Sequence, residues 1–245
     1  MALTISVIVC AYNEERYLPA CLHSVLAQTR PPDQIVVVNN ASTDGTRAVS
    51  LRIDGVTVVD EPRKGLTRAR ETGRKASRGD VLVYLDADCR APLTWLERVG
   101  RILERRAEAV AVTGPYRFYD WHRRGRALIG AYDRSVAPLT HVAAQRVFRL
   151  GALLYGGNFA VRRTALDRIG GFDERIEFHG EDTNLGRRLS VIGHVVLSNA
   201  CWLHTSARRY RALGTLTVMR LYARNFWSET MYHRPADRQH LDVRI

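Results

Sequence analysis

The chain has 245 residues, 46% apolar and 25% charged, which suits one globular domain with a sizeable core and excludes a disordered or coiled-coil chain. Its longest apolar runs, such as Ile5 to Ala11 and Val81 to Leu85, fall far short of the roughly 20 residues of a bilayer-spanning helix, which argues against an integral membrane protein. The net charge is +12, and all but Lys64 and Lys75 of the 37 basic residues are arginines, so the surface suits phosphates, nucleic acid or anionic lipid without choosing among them.

No basic region precedes the first apolar run, and Asn13-Glu14-Glu15 follows it, so the start does not read as a secretory signal and a cytoplasmic protein is expected. Cys10, Cys21, Cys89 and Cys201 are far apart with no C-x-x-C pair. Reduced thiols are expected, with neither a zinc site nor a disulfide framework.

In chain order, Ile5 to Ala11 reads as a strand. Leu18, Cys21, Leu22, Val25 and Leu26 then repeat at spacings of three and four, one buried helix face stopped by Pro31-Pro32. Ile35 to Val38 is a strand, Ser42-Thr43-Asp44 a helix-start turn, and Val56 to Val59 and Val81 to Leu85 are further strands. Strands this apolar on both faces belong in mid-sheet under helices on each side. The first third therefore predicts an α/β fold with a mostly parallel, doubly wound sheet.

Pro92 to Arg106 predicts a helix with Pro92 in its first turn, and Ala109 to Thr113 a strand. Pro115 to Arg149 is rich in aromatic and basic residues without a clean period, so it reads as loop with some helix around Leu128 to Val136. Gly156-Gly157-Asn158 leads into a strand, Phe159 to Arg162, and a short helix capped by Gly170-Gly171. Glu181-Asp182 opens a helix over Thr183 to Ile192 closed by Gly193. Val195 to Ser198 is the last strand and Gly214 to Tyr232 the last helix, whose Leu216, Met219, Tyr222, Ala223, Phe226 and Trp227 form an apolar stripe. No internal repeat or interdomain linker interrupts the chain.

In a doubly wound sheet, ligands bind beyond the carboxyl ends of the strands. Tyr12 to Glu14, Asn39-Asn40 and Asp86-Ala87-Asp88 all follow strands, so the topology should bring them to one crevice. Two carboxylates in D-x-D spacing suit a hard divalent cation shared with substrate phosphates.

The run Ser6 to Glu15, the run Ile35 to Thr46, and Asp86-Ala87-Asp88 together closely resemble family 2 of the glycosyltransferases. Gly65 to Arg70, Gly170-Gly171-Phe172-Asp173-Glu174 and Glu181-Asp182 extend the resemblance to about residue 205. It implies a GT-A catalytic domain over residues 1–205, with a nucleotide-sugar half (1–113) and an acceptor and base half (114–205). The remaining helical extension, 206–245, would pack on the domain or lie at a membrane surface.

The resemblance also assigns roles. Ala11, Tyr12 and Glu14 would line the nucleoside pocket, with Tyr12 stacking on the base. Asn40 stands where many relatives have an acidic partner of the base; as a donor and acceptor it can still read a uracil edge, so a UDP-sugar stays the expected donor while the departure leaves another nucleotide open. Arg70 would meet the diphosphate. Asp86 would meet the ribose side, Asp88 the Mg²⁺ or Mn²⁺ ion, and His204 would be a third metal ligand. Asp182 would be the base that takes the acceptor proton, with Glu181 orienting its loop and Gly157, Asn158 and Asp173 on the acceptor side.

The expected function is therefore inverting, metal-dependent transfer from a nucleotide sugar to a hydroxyl of a saccharide or lipid-linked saccharide in cell-surface glycan biosynthesis, with peripheral contact to an anionic membrane at its cytoplasmic face as a further expectation. A polyprenyl-phosphate acceptor is the rival, because Asp86 to Pro92 also resembles those synthases, although such an acceptor needs no base. From another class, the basic surface could mark a nucleic-acid- or membrane-surface-binding protein on the same scaffold. No nucleic-acid-binding motif is present, so no nucleic acid partner is expected. Nor is there a Gly-rich loop with a lysine near the start, as a nucleotidyltransferase would carry.

Overall fold

A computed structural model describes residues 2–176 and 180–232. The first half runs β1 (Ile5–Ala11), α1 (Leu18–Leu26), β2 (Gln34–Asn40), α2 (Thr46–Leu51), β3 (Val56–Glu61), α3 (Leu66–Ala76), β4 (Val81–Asp86), α4 (Trp95–Arg105) and β5 (Ala109–Thr113). The second half adds β6 (Tyr116–Phe118), α5 (Arg123–Val142) with a π-helical turn Ala143–Val147, β7 (Asn158–Arg162), α6 (Arg163–Arg168), α7 (Glu181–Ile192), β8 (His194–Leu197), β9 (Leu203–Thr205), α8 (Arg208–Leu213) and α9 (Thr215–Tyr232).

Seven strands form one sheet in the order β3-β2-β1-β4-β7-β5-β8, and β6 pairs with β9 in a small second sheet. Strands β1 to β4 are parallel, and β7 is inserted antiparallel between β4 and β5. Alternation along β1 feeds two core layers. Ile5, Val7, Val9 and Ala11 pack with α1 and α4, through Leu18, Leu22, Trp95 and Leu96. Ile8 points the other way, among Ala69 of α3, Leu166 of α6 and Leu185 of α7. A Cβ at Gly73 would lie 2.4 Å from Ile8 Cγ2, so the bare Cα is what lets α3 lie this close to β1.

The elements read in the first half keep close to their expected bounds, with α3 added where no helix was read; the larger differences come after residue 114. Instead of a loop with a short helix, residues 123–142 form a 20-residue helix that accommodates Pro138. Its buried face is Gly125, Asp133, Ala137 and His141, at steps of four or eight, whereas Leu128 and Leu139 are exposed. A helix that buries small and polar residues and exposes leucines has no apolar period to read. Helix α9 is inverted in the same way. It buries Val218, Asn225, Glu229 and Thr230, and of the expected apolar stripe Leu216, Met219, Tyr222 and Trp227 are exposed. The part of the expected C-terminal extension beyond residue 232 lies outside the described residues.

All four cysteines are free. Among the described residues no helix is long and apolar enough to cross a membrane.

Candidate active site

Neighbouring strands place the three polar groups at one sheet edge: Ala11 pairs with Asn39, and Cys10 with Asp86. Much of the polar sequence there stitches the loops after β1 and β2 together. The Asn13 N–H donates to Ser42 Oγ (3.1 Å), Thr43 N to Asn13 Oδ1 (2.8 Å), Gly45 N to Glu15 Oε2 (2.7 Å), and Glu14 N to Thr46 Oγ1 (2.7 Å). Asn13 and Ala41 take left-handed φ values of 51° and 55° to make these turns. Ala11 is buried at the end of β1, and the Tyr12 ring carries Lys64 Nζ 4.0 Å from its centroid.

Asp86 ends β4 and Asp88 lies two residues on, and a third carboxylate, Glu14, is joined to Asp88 through one guanidinium. Arg208 donates from Nη1 to Glu14 Oε2 (3.0 Å) and from Nη2 to Glu14 Oε1, and its Nε lies 3.1 Å from Asp88 Oδ2. Burial pushes the Asp88 carboxyl up to about 7; Arg208 opposes this, while Asp86 and Glu14 add to it. Two buried carboxylates already converge on a cation here, and the D-x-D pair with substrate phosphates is an all-oxygen donor set that fits Mg²⁺ or Mn²⁺.

Asp86 borders the backbone of Gly157, where a Cβ would fall 2.0 Å from Asp86 Oδ2. On the other side of the same turn, a Cβ at Gly156 would lie 3.1 Å from Glu181 Oε1 and 3.4 Å from Asp182 Cβ. Gly156-Gly157 thus separates the D-x-D carboxylates from the acids that open α7 by one backbone thickness. Arg70 spans the join: buried on α3, it donates from Nη2 to the Gly156 carbonyl (2.5 Å) and from Nη1 to Glu181 Oε1 (3.3 Å). Gly157 N–H donates to Tyr116 Oη (2.7 Å), and Tyr155 Oη donates to the buried Asp133 (2.5 Å), fixing the turn from the α5 side. Burial raises both Glu181 and Asp182 above the ordinary carboxylate range, mutual repulsion adding to it for Glu181. Arg70 and the Thr183 N–H, which donates to Asp182 Oδ1 (2.7 Å), work against the rise.

Four expected roles meet a different geometry. Asn40 is in the site wall, but its amide is spent on backbone: Nδ2 donates to Glu61 O (3.1 Å) and Arg63 O (2.8 Å), and Oδ1 accepts from Gly65 N (3.0 Å). No amide hydrogen is left for a base. Asn158 is likewise committed, its Nδ2 donating to the carbonyls of Gly114 and Cys201. His204 points away from Asp88, because successive side chains of a strand face opposite ways. Its ring packs edge-on against Trp202 at 4.8 Å, while the next residue, Thr205, reaches Asp88 Oδ1 (3.4 Å). Among the described residues no three His, Cys, Asp or Glu side chains gather as a metal cage. Asp173 folds onto its own turn, paired with Arg175 Nε and Nη2 at 2.9 and 2.8 Å.

The sequence reading also left Arg208 and Thr205 out of the donor site. A boundary at 205 falls inside the site, since Arg208 closes it from 194 residues beyond Glu14. The Arg208-Arg209-Tyr210-Arg211 run carried no local signal separating a site arginine from solvated ones.

Comparison with known proteins identifies the family and the fold. A model of glycosyl transferase family 2 matches residues 6–170. A glucosyl-dolichyl phosphate glucuronosyltransferase of Haloferax volcanii is 29% identical over 200 residues, covering 76% of this chain and 58% of the relative. Glycosyltransferase AglE of the same organism is 37% identical over 101 residues, covering 38% of this chain and 33% of AglE, so the chain spans between a third and three fifths of these relatives. Among solved structures, the mannosyltransferase PcManGT of Pyrobaculum calidifontis, in complex with GDP-Man and Mn²⁺, is similar with a TM-score of 0.70 at 22% identity, over 95% of this chain and 64% of that one. Glucosyl-3-phosphoglycerate synthase of Mycobacterium tuberculosis, with Mn²⁺, UDP-glucose and phosphoglyceric acid, gives 0.62 at 22% identity over 93% and 80%.

Proposed function

The chain belongs to glycosyl transferase family 2 and has a GT-A type fold, and from that premise we propose that it is an inverting transferase moving a sugar from a nucleotide-diphosphate sugar to an acceptor hydroxyl in cell-surface glycan assembly. The observation that carries this reading is the Gly156-Gly157 turn, with Asp86 against one side and the Glu181-Asp182 pair against the other. A donor held at the D-x-D edge then has its reacting carbon within reach of a carboxylate on the far side of the turn.

Asp182 is the base in this scheme. As the acceptor oxygen bonds to the anomeric carbon, its proton passes to the Asp182 carboxylate and the sugar–phosphate bond breaks, releasing the nucleoside diphosphate. A single displacement inverts the anomeric centre. Arg70 holds Glu181 beside Asp182 and brings positive charge toward the departing diphosphate. Asp88, with Asp86 beside it, would hold Mg²⁺ or Mn²⁺, which supplies charge neutralisation to the leaving group. Tyr12 and Glu14 contribute the nucleoside side; with Asn40 committed to backbone, the nucleotide is decided elsewhere in that pocket, and UDP-sugars are the first donors to test.

The test is a panel of nucleotide sugars offered with Mn²⁺ and with chelator, scored by thermal stabilisation and nucleoside diphosphate release. One donor should stabilise the protein and be slowly hydrolysed only with metal. Failure of every donor to bind under both conditions would overturn the reading.

A lipid-linked acceptor is favoured over a soluble saccharide by a specific feature. An apolar groove of about 170 Å³, lined by Ala143, Ala144, Phe148, Leu150 and Phe226, reaches Thr183 next to Asp182. Around it Leu139, Val147, Phe148 and Trp227 are exposed, and the surface carries Arg146, Arg149 and Arg224. Apolar side chains ringed by arginines suit an anionic bilayer face, from which a lipid chain could enter the groove. The relative named a glucosyl-dolichyl phosphate glucuronosyltransferase supports the same reading. The protein should bind anionic liposomes at low salt, and Trp227→Ser should weaken that binding; absence of binding would remove the membrane from the proposal.

A further inference from the structure

We propose that Arg208 is a resident counter-cation of the donor site: in the donor-free enzyme it holds Asp88 and Glu14, and a divalent cation gains Asp88 only by displacing it. The nature of the ligands rests on the glycosyltransferase reading, whereas the contact stands on its own geometry. Glu14 is fully engaged by the two terminal nitrogens, and Nε takes Asp88 Oδ2 at 3.1 Å. Side-chain exposure is 17% for Arg208, 3% for Glu14 and 9% for Asp88, so the cluster is largely withdrawn from solvent screening.

The guanidinium is held there by the fold. The turn into α8 is fastened to Asp120, whose carboxylate accepts from Ser206 Oγ and Ala207 N, both at 2.6 Å. Tyr210 of α8 packs on Phe118 at 5.2 Å and Trp121 at 4.8 Å. A tether this well anchored returns the same side chain to the same two carboxylates.

Two consequences follow from charge alone. A cation entering at Asp88 must compete for an oxygen already paired and must approach a fixed positive charge, so metal alone binds weakly. Arginine stays protonated throughout the accessible pH range, so pH cannot release it. An incoming diphosphate can, by offering Arg208 new anionic oxygens as Asp88 turns to the metal. Metal and nucleotide then bind with positive coupling, each raising the affinity of the other by the same factor.

The experiment measures Mn²⁺ binding without nucleotide, by calorimetry or by loss of the free-ion electron paramagnetic resonance signal. It compares the natural protein with Arg208→Gln, Arg208→Lys and Arg209→Gln. Arg208→Gln should bind Mn²⁺ roughly 10-fold tighter or more, the scale set by removing a unit charge a few ångströms away. Arg208→Lys keeps the charge but not the three-point bridge and should gain less. Arg209→Gln removes a charge from the same helix, where the side chain donates to Tyr222 Oη instead, and should leave the affinity unchanged. In the natural protein, uridine diphosphate should raise Mn²⁺ affinity, and the rise should shrink in Arg208→Gln.

Equal or weaker Mn²⁺ binding in Arg208→Gln would overturn the proposal. If that variant does not fold, unchanged or weaker binding in Arg208→Lys would do so. Should the natural protein bind Mn²⁺ but no nucleotide with it, the donor reading fails while the arginine comparison still decides whether Arg208 and the metal compete.

Discussion

Arg70 Nη1 and Glu181 Oε1 lie 3.3 Å apart, a buried pair joining the middle of α3 to the first residue of α7. The pair links the half of the fold that carries the D-x-D carboxylates to the half that carries Asp182. Removing one member of a buried pair leaves the other without compensation, so Arg70→Gln should cost about 3 kcal/mol in urea unfolding. Glu181→Gln added to that variant should restore part of the loss, because it removes the carboxyl left buried without its partner. Additive losses in the double variant would mean that the two side chains stabilise the fold separately.

Asp182→Asn keeps the shape of the helix start and its acceptor oxygen for Thr183 N–H, while removing the base. Donor affinity should stay within a few-fold and transfer should fall by roughly 10²- to 10⁴-fold, the usual contribution of a positioned base. Single-turnover assays with a saturating donor separate the two quantities. Loss of donor binding together with transfer would give Asp182 a donor-side role instead.

The pH dependence has a definite sign. Burial raises Glu181 and Asp182 above the ordinary carboxylate range, so the folded donor-free protein holds their protons more tightly than the unfolded chain does. Their contribution is most favourable below the unfolded value of ordinary carboxylates, and it declines as pH rises toward their elevated folded values. Glu181→Gln should therefore flatten the fall of melting temperature between mildly acidic and neutral pH. Catalysis runs the other way: the base must be ionised, so transfer should rise with pH along a limb lying above the ordinary carboxylate range. An activity limb at the pKa of a free aspartate would disconnect Asp182 from the proton transfer.

How much was legible in advance followed from where the information lay. Strands β1, β2 and β4 announce themselves because they are apolar on both faces, and the loops after them were identifiable as a site edge because parallel topology leaves few alternatives. Asp86 and Asp88 could be picked out for the same reason, whereas Glu181 and Asp182, at the start of α7, were singled out only through the family resemblance. Asn40 and Asn158 could not be separated from ligand-binding amides, since their commitment to backbone carbonyls depends on loops 21 to 44 residues away. His204 was misread because one step of strand register decides whether it or Thr205 faces Asp88. The full length of α5 and the buried face of α9 hid behind outward-facing apolar residues, although the bounds of α9 were legible, and Arg208 hid behind a basic run that looks alike at every position.

Gly157 is the position where fold and chemistry depend most directly on a missing atom. Its φ is not in the left-handed region, so alanine can adopt the backbone, and the obstacle is the Asp86 carboxylate 2.0 Å from the added Cβ. The least costly relief is rotation of Asp86, a side-chain end, while the turn stays fixed by Gly157 N–H on Tyr116 Oη. Gly157→Ala should consequently unfold within about 1 kcal/mol of the natural protein. Its donor affinity in the presence of Mn²⁺ should nonetheless drop by roughly 10-fold or more, since Asp86 is turned out of the donor edge and a charged hydrogen bond of that kind contributes about 1.5–3 kcal/mol. Paired denaturation and donor-binding measurements check both halves. A large stability loss would show that the turn yields before Asp86 does, and unchanged donor binding would take Asp86 out of the donor site.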